Sequence, residues 1–167
     1  MIKIFVWTLF VILTLTACRP ESRKEQTDNR QDELKYDTAK TAIISWDKKF
    51  NYPFDSINYH ATILTQEDIN QVDSLLISSV TDYNNSLTDG HEDYKIDLKS
   101  RDYKKQLIAV TNSKGEREIW VNCFCDDWDK SWKTEILEVH DGGPCYFNLK
   151  INLTTKKIYD FGVNGFA

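Results

Sequence analysis

Apolar side chains recur at steps of three and four between residues 65 and 83, and this period constrains the fold more than any other feature of the chain. The positions are Ile69, Val72, Leu76, Val80 and Tyr83. They lie on one face of an amphipathic helix. Thr65 precedes them as the N-cap, and Asp68 stands where its carboxylate can complete a capping box. The pattern predicts a helix from Thr65 to about Tyr83 with one buried face.

Short runs of alternating apolar and polar residues follow this helix and are typical of strands. The predicted strands cover residues 94–98, 103–111, 116–125, 134–139, 146–153 and 157–163, with an earlier one at 57–64. Residues 43–50 fit either a short strand or one helical turn. Turn sequences at 112–115 and 154–156 make successive strands antiparallel neighbours. The sequence therefore predicts an α+β fold, in which one amphipathic helix packs on an antiparallel meander sheet. This outline resembles cystatin-like and NTF2-like small domains, a likeness of fold that carries no function.

The N-terminus carries a different signal. Lys3 precedes an uncharged and mainly apolar run that ends at residue 17, shorter than the ~20 residues that span a bilayer. The following motif, Leu15-Thr16-Ala17-Cys18, resembles the lipobox of small bacterial lipoproteins without an assigned activity. The resemblance implies that residues 1–17 are a signal peptide, that Cys18 is lipidated, and that the protein is anchored in the cell envelope, outside the cytoplasm and most readily at the outer membrane. An ordinary secretory signal is the alternative.

Residues 18–38 are polar and charged, too poor in apolar side chains to fold alone. They are predicted to be a disordered tether, and residues 39–167 a single domain. The whole chain has 21 basic and 26 acidic residues, a net charge of −5. This balance does not favour nucleic acid, which needs a basic face. The expected partners are therefore the membrane, through the lipid on Cys18, and an envelope protein or small ligand.

Three cysteines lie in the predicted domain: Cys123, Cys125 and Cys145. In the predicted meander, strand 134–139 separates the strands that carry Cys125 and Cys145, so buried free thiols are expected. One disulfide is the alternative, since exported proteins meet an oxidising compartment. Together with His140, the three thiols could also bind zinc, but Cys-x-Cys is not the usual ligand spacing. A Cys145–His140 nucleophile pair is disfavoured, because the predicted register turns His140 away from the core. No catalytic residue, metal or cofactor is therefore assigned.

Aromatic residues supply the candidate binding surface. In the predicted strands, Trp120, Phe124 and Tyr146 lie opposite the apolar face. Trp128, Trp132 and Asp141 lie in the adjoining loops. Aromatic side chains with amides between them make good binding surfaces. The alternative is that residues 40–60 cover this face, so that Trp120 and Phe124 form a second small core.

These features predict a membrane-anchored envelope lipoprotein with a non-enzymatic domain that binds a ligand or a protein. Two alternatives stay open. The domain could inhibit an envelope hydrolase through the loops at 126–133 and 140–144, or it could be an enzyme whose site has no recognisable motif.

Overall fold

The computed structural model describes residues 34–49, 51–126 and 130–166. In these ranges the chain forms one α-helix, α1 (Gln66–Ser86), and a six-stranded, mostly antiparallel sheet. The strands are β1 (Thr41–Ile43), β2 (Tyr59–Ala61), β3 (Lys104–Asn112), β4 (Arg117–Phe124), β5 (Tyr146–Asn152) and β6 (Lys157–Val163). Short 3₁₀ helices lie at Glu92–Tyr94, Lys130–Lys133 and Gly143–Cys145. The mixed α+β composition predicted from the sequence is confirmed.

The helix begins as its sequence predicts. The Thr65 hydroxyl accepts a hydrogen bond from the Asp68 backbone N–H at 3.2 Å, and the Asp68 carboxylate accepts one from the Thr65 N–H at 2.7 Å. This capping box satisfies two polar groups that would otherwise lack partners at a helix end. α1 ends at Ser86, three residues beyond the predicted end.

The sheet departs from the predicted meander in three ways. β1 pairs with the first half of β3 in parallel, and β2 pairs with the second half of β3 in the antiparallel sense. The strand predicted at 134–139 does not form, so β4 pairs directly with β5, and β5 with β6. The strand predicted at 94–98 is also absent, replaced by a 3₁₀ turn and irregular chain.

The main core lies between α1 and one face of the sheet. β3, β4 and β5 point alternate side chains toward the helix, because successive residues of a strand face opposite sides. The buried residues of this cluster include Val72, Leu76 and Val80 of α1, Leu107 and Ala109 of β3, Ile119, Val121 and Cys123 of β4, and Phe147, Leu149 and Ile151 of β5. Each such apolar side chain contributes about 1.5–3 kcal/mol when it is fully buried.

Two segments without strands, residues 44–49 with 51–58 and residues 130–139, cover parts of the opposite face. Trp46 and Phe54 of the first segment pack on Ile108, Val110 and Trp120. Trp132 and Leu137 of the second segment pack with Phe124 and Ala42. The sheet is therefore buried on both faces, with the helix on one side and mainly loop structure on the other.

Cys125 and Cys145 form a disulfide, which corrects the prediction of free thiols. The β4–β5 register pairs Phe124 with Tyr146. One further step along both strands places Cys125 opposite Cys145, with their Cα atoms 5.0 Å apart. The prediction failed because it placed a strand between these two. Cys123 remains free and buried.

The folded part begins earlier than the predicted boundary at residue 39. Leu34 packs against the main core, and the Lys35 backbone exchanges two hydrogen bonds with the Gln66 side chain. Residues 34–38 therefore belong to the domain. The predicted signal peptide, Cys18 and most of the tether lie outside the described residues. Within the described ranges, no helix has the length and apolar character needed to cross a membrane.

Candidate binding clefts beside Tyr52 and Glu138

Two buried amide side chains fix the segment 130–139 to the sheet. The Gln106 side chain donates to the carbonyls of Trp132 and Glu135 at 2.5 and 2.6 Å, and accepts from the Leu137 N–H at 3.0 Å. Asn122, its partner in the β3–β4 register, donates to the Leu137 carbonyl at 2.9 Å and to Gln106 at 3.0 Å. These bonds replace the strand pairing that the segment lacks. They hold Glu135 and Glu138 at fixed places beside the sheet.

Residues 44–49 and 51–54 form the facing wall. Trp46 and Phe54 are buried, while Tyr52 is 45% exposed. The Tyr52 ring meets the buried Trp120 ring edge-on, with the centroids 5.5 Å apart. Edge-to-face geometry is a favourable arrangement for two aromatic rings. Trp120 thus supports Tyr52 from below, and leaves about half of the tyrosine available to a ligand.

Two clefts open on either side of Tyr52 and Glu138. The first, which we call the acidic cleft, has a volume of about 520 Å³. Its walls include Ile44, Trp46, Ile108 and Ile136, together with Tyr52 and Glu138. The second, the amide cleft, has a volume of about 400 Å³ and shares Tyr52 and Glu138. Its other walls include Asn148, Asn164, His140 and Tyr146. Both volumes lie in the range of small-ligand sites.

Negative charge dominates the acidic cleft. Of the described residues, Asp47, Glu135 and Glu138 line it, and no lysine or arginine does. Among the described residues, no basic side chain pairs with Glu135 or Glu138, and Asp47 approaches only the exposed Lys49 at 3.9 Å. Burial raises the pKa of Tyr52 above its ordinary value, and the negative charge of Glu138 raises it further. The tyrosine therefore stays a neutral phenol near neutral pH.

Trp46, which also lines this cleft, carries a buried and unsatisfied donor. Its side chain is 8% exposed, and its indole N–H has no hydrogen-bond acceptor within the described part of the chain. Leaving a buried donor unpaired costs about 1–3 kcal/mol. Such a group in the wall of a cleft is a natural contact for an acceptor atom of a ligand.

The aromatic surface predicted from the sequence is not exposed. Trp120, Phe124 and Trp132 are at most 3% exposed, because the irregular segments cover them. Trp132 packs edge-on against Phe124, with centroids 5.3 Å apart. The alternative in which residues 40–60 cover Trp120 is correct, while Phe124 is covered by the second segment.

The remaining predicted binding residues have mixed outcomes. Tyr146 is half-buried in the amide cleft, and Trp128 lies outside the described residues. Asp141 is exposed, and its backbone carbonyl accepts from the Asn164 side chain at 3.1 Å. Sequence reasoning missed Trp46 and Tyr52. Their signal was available, since both are aromatic residues in a segment with no regular period.

A second polar cluster surrounds Glu118, which is 4% exposed. Its carboxylate accepts hydrogen bonds from the Tyr59 and Tyr159 hydroxyls and from the Asn112 and Asn152 side chains. Burial and these contacts with Glu118 raise the pKa of Tyr159. Because every neighbour already donates to this carboxylate, the cluster serves to tie β2 and β6 to the centre of the sheet.

The disulfide also excludes the two alternatives that needed free thiols at Cys125 and Cys145, a zinc site and a Cys145–His140 nucleophile pair. Cys125 and Cys145 are joined, so neither is a free thiolate for zinc or a nucleophile for catalysis. Burial raises the pKa of Cys123 to about 12, which keeps this thiol protonated and unreactive. Within the described ranges, no group of three or more His, Cys, Asp or Glu side chains is arranged to hold a metal ion.

The two clefts offer groups that can bind a ligand: a half-exposed aromatic ring, amides, and carboxylates and a buried N–H that have no partner among the described residues. Comparisons with protein families, with curated proteins and with solved structures give no match.

Proposed function

We propose that the chain is an envelope lipoprotein, anchored through Cys18, whose domain binds a ligand or partner protein at the acidic and amide clefts without catalysing a reaction. One observation carries the binding part of the proposal. Within the described residues, the buried indole N–H of Trp46 has no acceptor and the exposed Glu138 carboxylate has no basic partner, and both residues line the same cleft as the half-exposed Tyr52. A ligand could supply an acceptor to the first group and a positive charge to the second.

Two features support the envelope part. The motif at residues 15–18 has the form of a lipobox, and several acyl chains on Cys18 and its amino group would anchor the protein stably. The Cys125–Cys145 disulfide suits an oxidising compartment outside the cytoplasm. The outer membrane is the surface at which we place the domain.

The inhibitor alternative has less support. It requires a protruding loop at 140–144, whereas the Asn164 side chain bonds to the carbonyls of Val139 and Asp141. The Gly143 N–H also donates to the Gly165 carbonyl at 2.9 Å. The loop is therefore held against the C-terminal segment.

Anchoring is tested by the change Cys18→Ser in the full chain. We expect loss of radiolabelled palmitate incorporation and accumulation of uncut precursor, because the modified thiol is the signal for cleavage. A variant that is still acylated and cleaved as the parent is would contradict the lipoprotein assignment.

Binding is tested by affinity capture from the cell envelope with the full chain in detergent. The double variant Tyr52→Ala, Glu138→Ala removes the two residues that the clefts share. Ile77→Ala is the control, since Ile77 is 60% exposed on α1, on the other side of the sheet. We expect the double variant to lose a component that the parent and the control both retain. Equal retention by all three would refute the site.

A further inference from the structure

The charge of the acidic cleft selects its ligand. In the part of the chain that the structure describes, three carboxylates lie in its walls and no basic side chain does. Opposite charge across an interface steers encounter and excludes partners of the wrong sign. The cleft therefore favours a cation over an anion.

The apolar and aromatic residues of the cleft indicate the other groups that the ligand carries. Ile44, Ile108 and Ile136 give an apolar floor, which suits the aliphatic stem of a long basic side chain. The rings of Trp46 and Tyr52 stand beside it, and aromatic faces attract ammonium and guanidinium groups.

The indole N–H of Trp46 adds an independent requirement. It can only donate, so it needs an acceptor oxygen. A polyamine supplies the cation without an oxygen. A lysine or arginine residue within a peptide supplies a charged head, an apolar stem and a neighbouring main-chain carbonyl.

We infer that the acidic cleft binds a basic residue of a peptide segment, with its cation between Glu138 and Glu135, its stem on the isoleucines, and a main-chain carbonyl at the Trp46 N–H. This inference rests on the proposed binding function and names the chemistry of its ligand. The partner is thus a protein that offers a lysine or arginine on an exposed segment.

The test is a titration of the full chain in detergent with the peptide acetyl-Val-Lys-Val-Lys-Val-amide, followed by NMR of the tryptophan indole N–H signals. The chain has five tryptophans, and Trp46→Phe identifies the signal of residue 46 by its loss. We expect this signal to move downfield in a saturable manner, and binding to weaken as salt is raised, because the contact includes exposed charges.

Matched variants separate the contributions of the Glu138 charge and of the Trp46 hydrogen bond to peptide binding. Glu138→Gln should weaken binding by about two- to fivefold, as expected for an exposed charge pair. Glu67→Gln removes an exposed carboxylate from α1 and should leave the affinity unchanged. Trp46→Phe should weaken binding by about three- to tenfold through loss of one hydrogen bond, whereas Ile77→Ala, an exposed change on α1, should not.

Each other outcome overturns the inference. Equal binding of acetyl-Val-Glu-Val-Glu-Val-amide would exclude charge selection, and equal binding of spermine would exclude the peptide carbonyl. No saturable change of the Trp46 signal at about 10 mM peptide would also refute it. If the envelope capture still depended on Tyr52 and Glu138 in that case, the site would stand and only its ligand class would be wrong. If the peptide did not bind and the envelope capture did not depend on Tyr52 and Glu138, the proposed function would be refuted as well.

Discussion

Removal of the Cys125–Cys145 disulfide should destabilise the domain by an amount that follows from its place in the chain. The bridge closes a loop with a sequence separation of 20 residues. Chain-entropy reasoning gives a loss of about 11 cal/mol/K for a loop of this length, or about 3 kcal/mol at 25 °C. Domains are commonly stable by only about 5–15 kcal/mol, so the double change Cys125→Ala, Cys145→Ala should have a large effect.

The segment 130–139 should nevertheless stay on the sheet in this variant. Gln106 and Asn122 bond to its backbone, and Trp132 and Leu137 remain buried in their cluster. We therefore expect the native fold with a lower free energy of unfolding, rather than a partly unfolded native state.

Urea unfolding followed by tryptophan fluorescence and circular dichroism measures this loss. With a slope of about 2 kcal/mol/M, the midpoint should fall by about 1.5 M. The parent with reductant should unfold like the double variant, and reductant should leave the variant unchanged. A free energy of unfolding within about 0.5 kcal/mol of the parent would refute the loop-closure reasoning.

Three further outcomes follow from the same structure. Thiol titration of the described domain in denaturant without reductant should find Cys123 alone, and titration of the native protein none, because this thiol is buried with a pKa of about 12. Gly142→Val should cost about 1–3 kcal/mol in thermal unfolding, since Gly142 has a φ of +85° and an added Cβ would lie 2.6 Å from the Tyr146 ring; a variant as stable as the parent would contradict this role of the loop. Burial alone raises the pKa of Asp68, but hydrogen bonds from Arg117 and Thr65 outweigh it and leave the pKa below its ordinary value. Its stabilising effect is therefore present above about pH 4 and is lost as the pH falls through the lowered pKa. Asp68→Asn should lose about 2 kcal/mol at pH 7, and its deficit against the parent should shrink below pH 4; a deficit independent of pH would be the contrary result.

The helix and four of the strands could be predicted because their signals are local. The 3.6-residue period of α1 and the cap at Thr65 depend on neighbours in sequence. The alternation in β3 to β6 likewise reports a buried face, and the turns at 112–115 and 154–156 join consecutive strands. The structure confirms these elements to within a few residues.

The segment 134–139 shows why the sheet order could not be predicted. Ile136, Leu137 and Val139 are spaced much as in a strand. The Leu137 N–H and carbonyl bond instead to the side chains of Gln106 and Asn122, which lie on two other strands. Alternation reports which side chains are buried, and says nothing about which groups accept the backbone hydrogen bonds. The strand wrongly predicted here also placed Cys125 and Cys145 too far apart for a disulfide.

The prediction that Trp120 and Phe124 form an exposed surface failed for a related reason. A strand with apolar residues on both faces can be covered by solvent-facing loops or by a third layer, and its own sequence is the same in either case. Trp46 and Phe54, which cover Trp120, lie in an irregular segment whose path no local pattern specifies. The clefts form only where that segment meets residues 134–138, so they could not be located before the fold was known.

Site-specific photo-crosslinking in the cell tests the central claim most directly. The full chain would carry p-benzoylphenylalanine at position 52, between the two clefts, or at position 77, which is exposed on α1. We expect a discrete crosslinked product from position 52 under ultraviolet light, its loss when Glu138→Ala is added, and no such product from position 77. A product from position 77 alone, equal products from both positions, or a product from position 52 that is unaffected by Glu138→Ala would contradict the assignment of the binding site to these clefts.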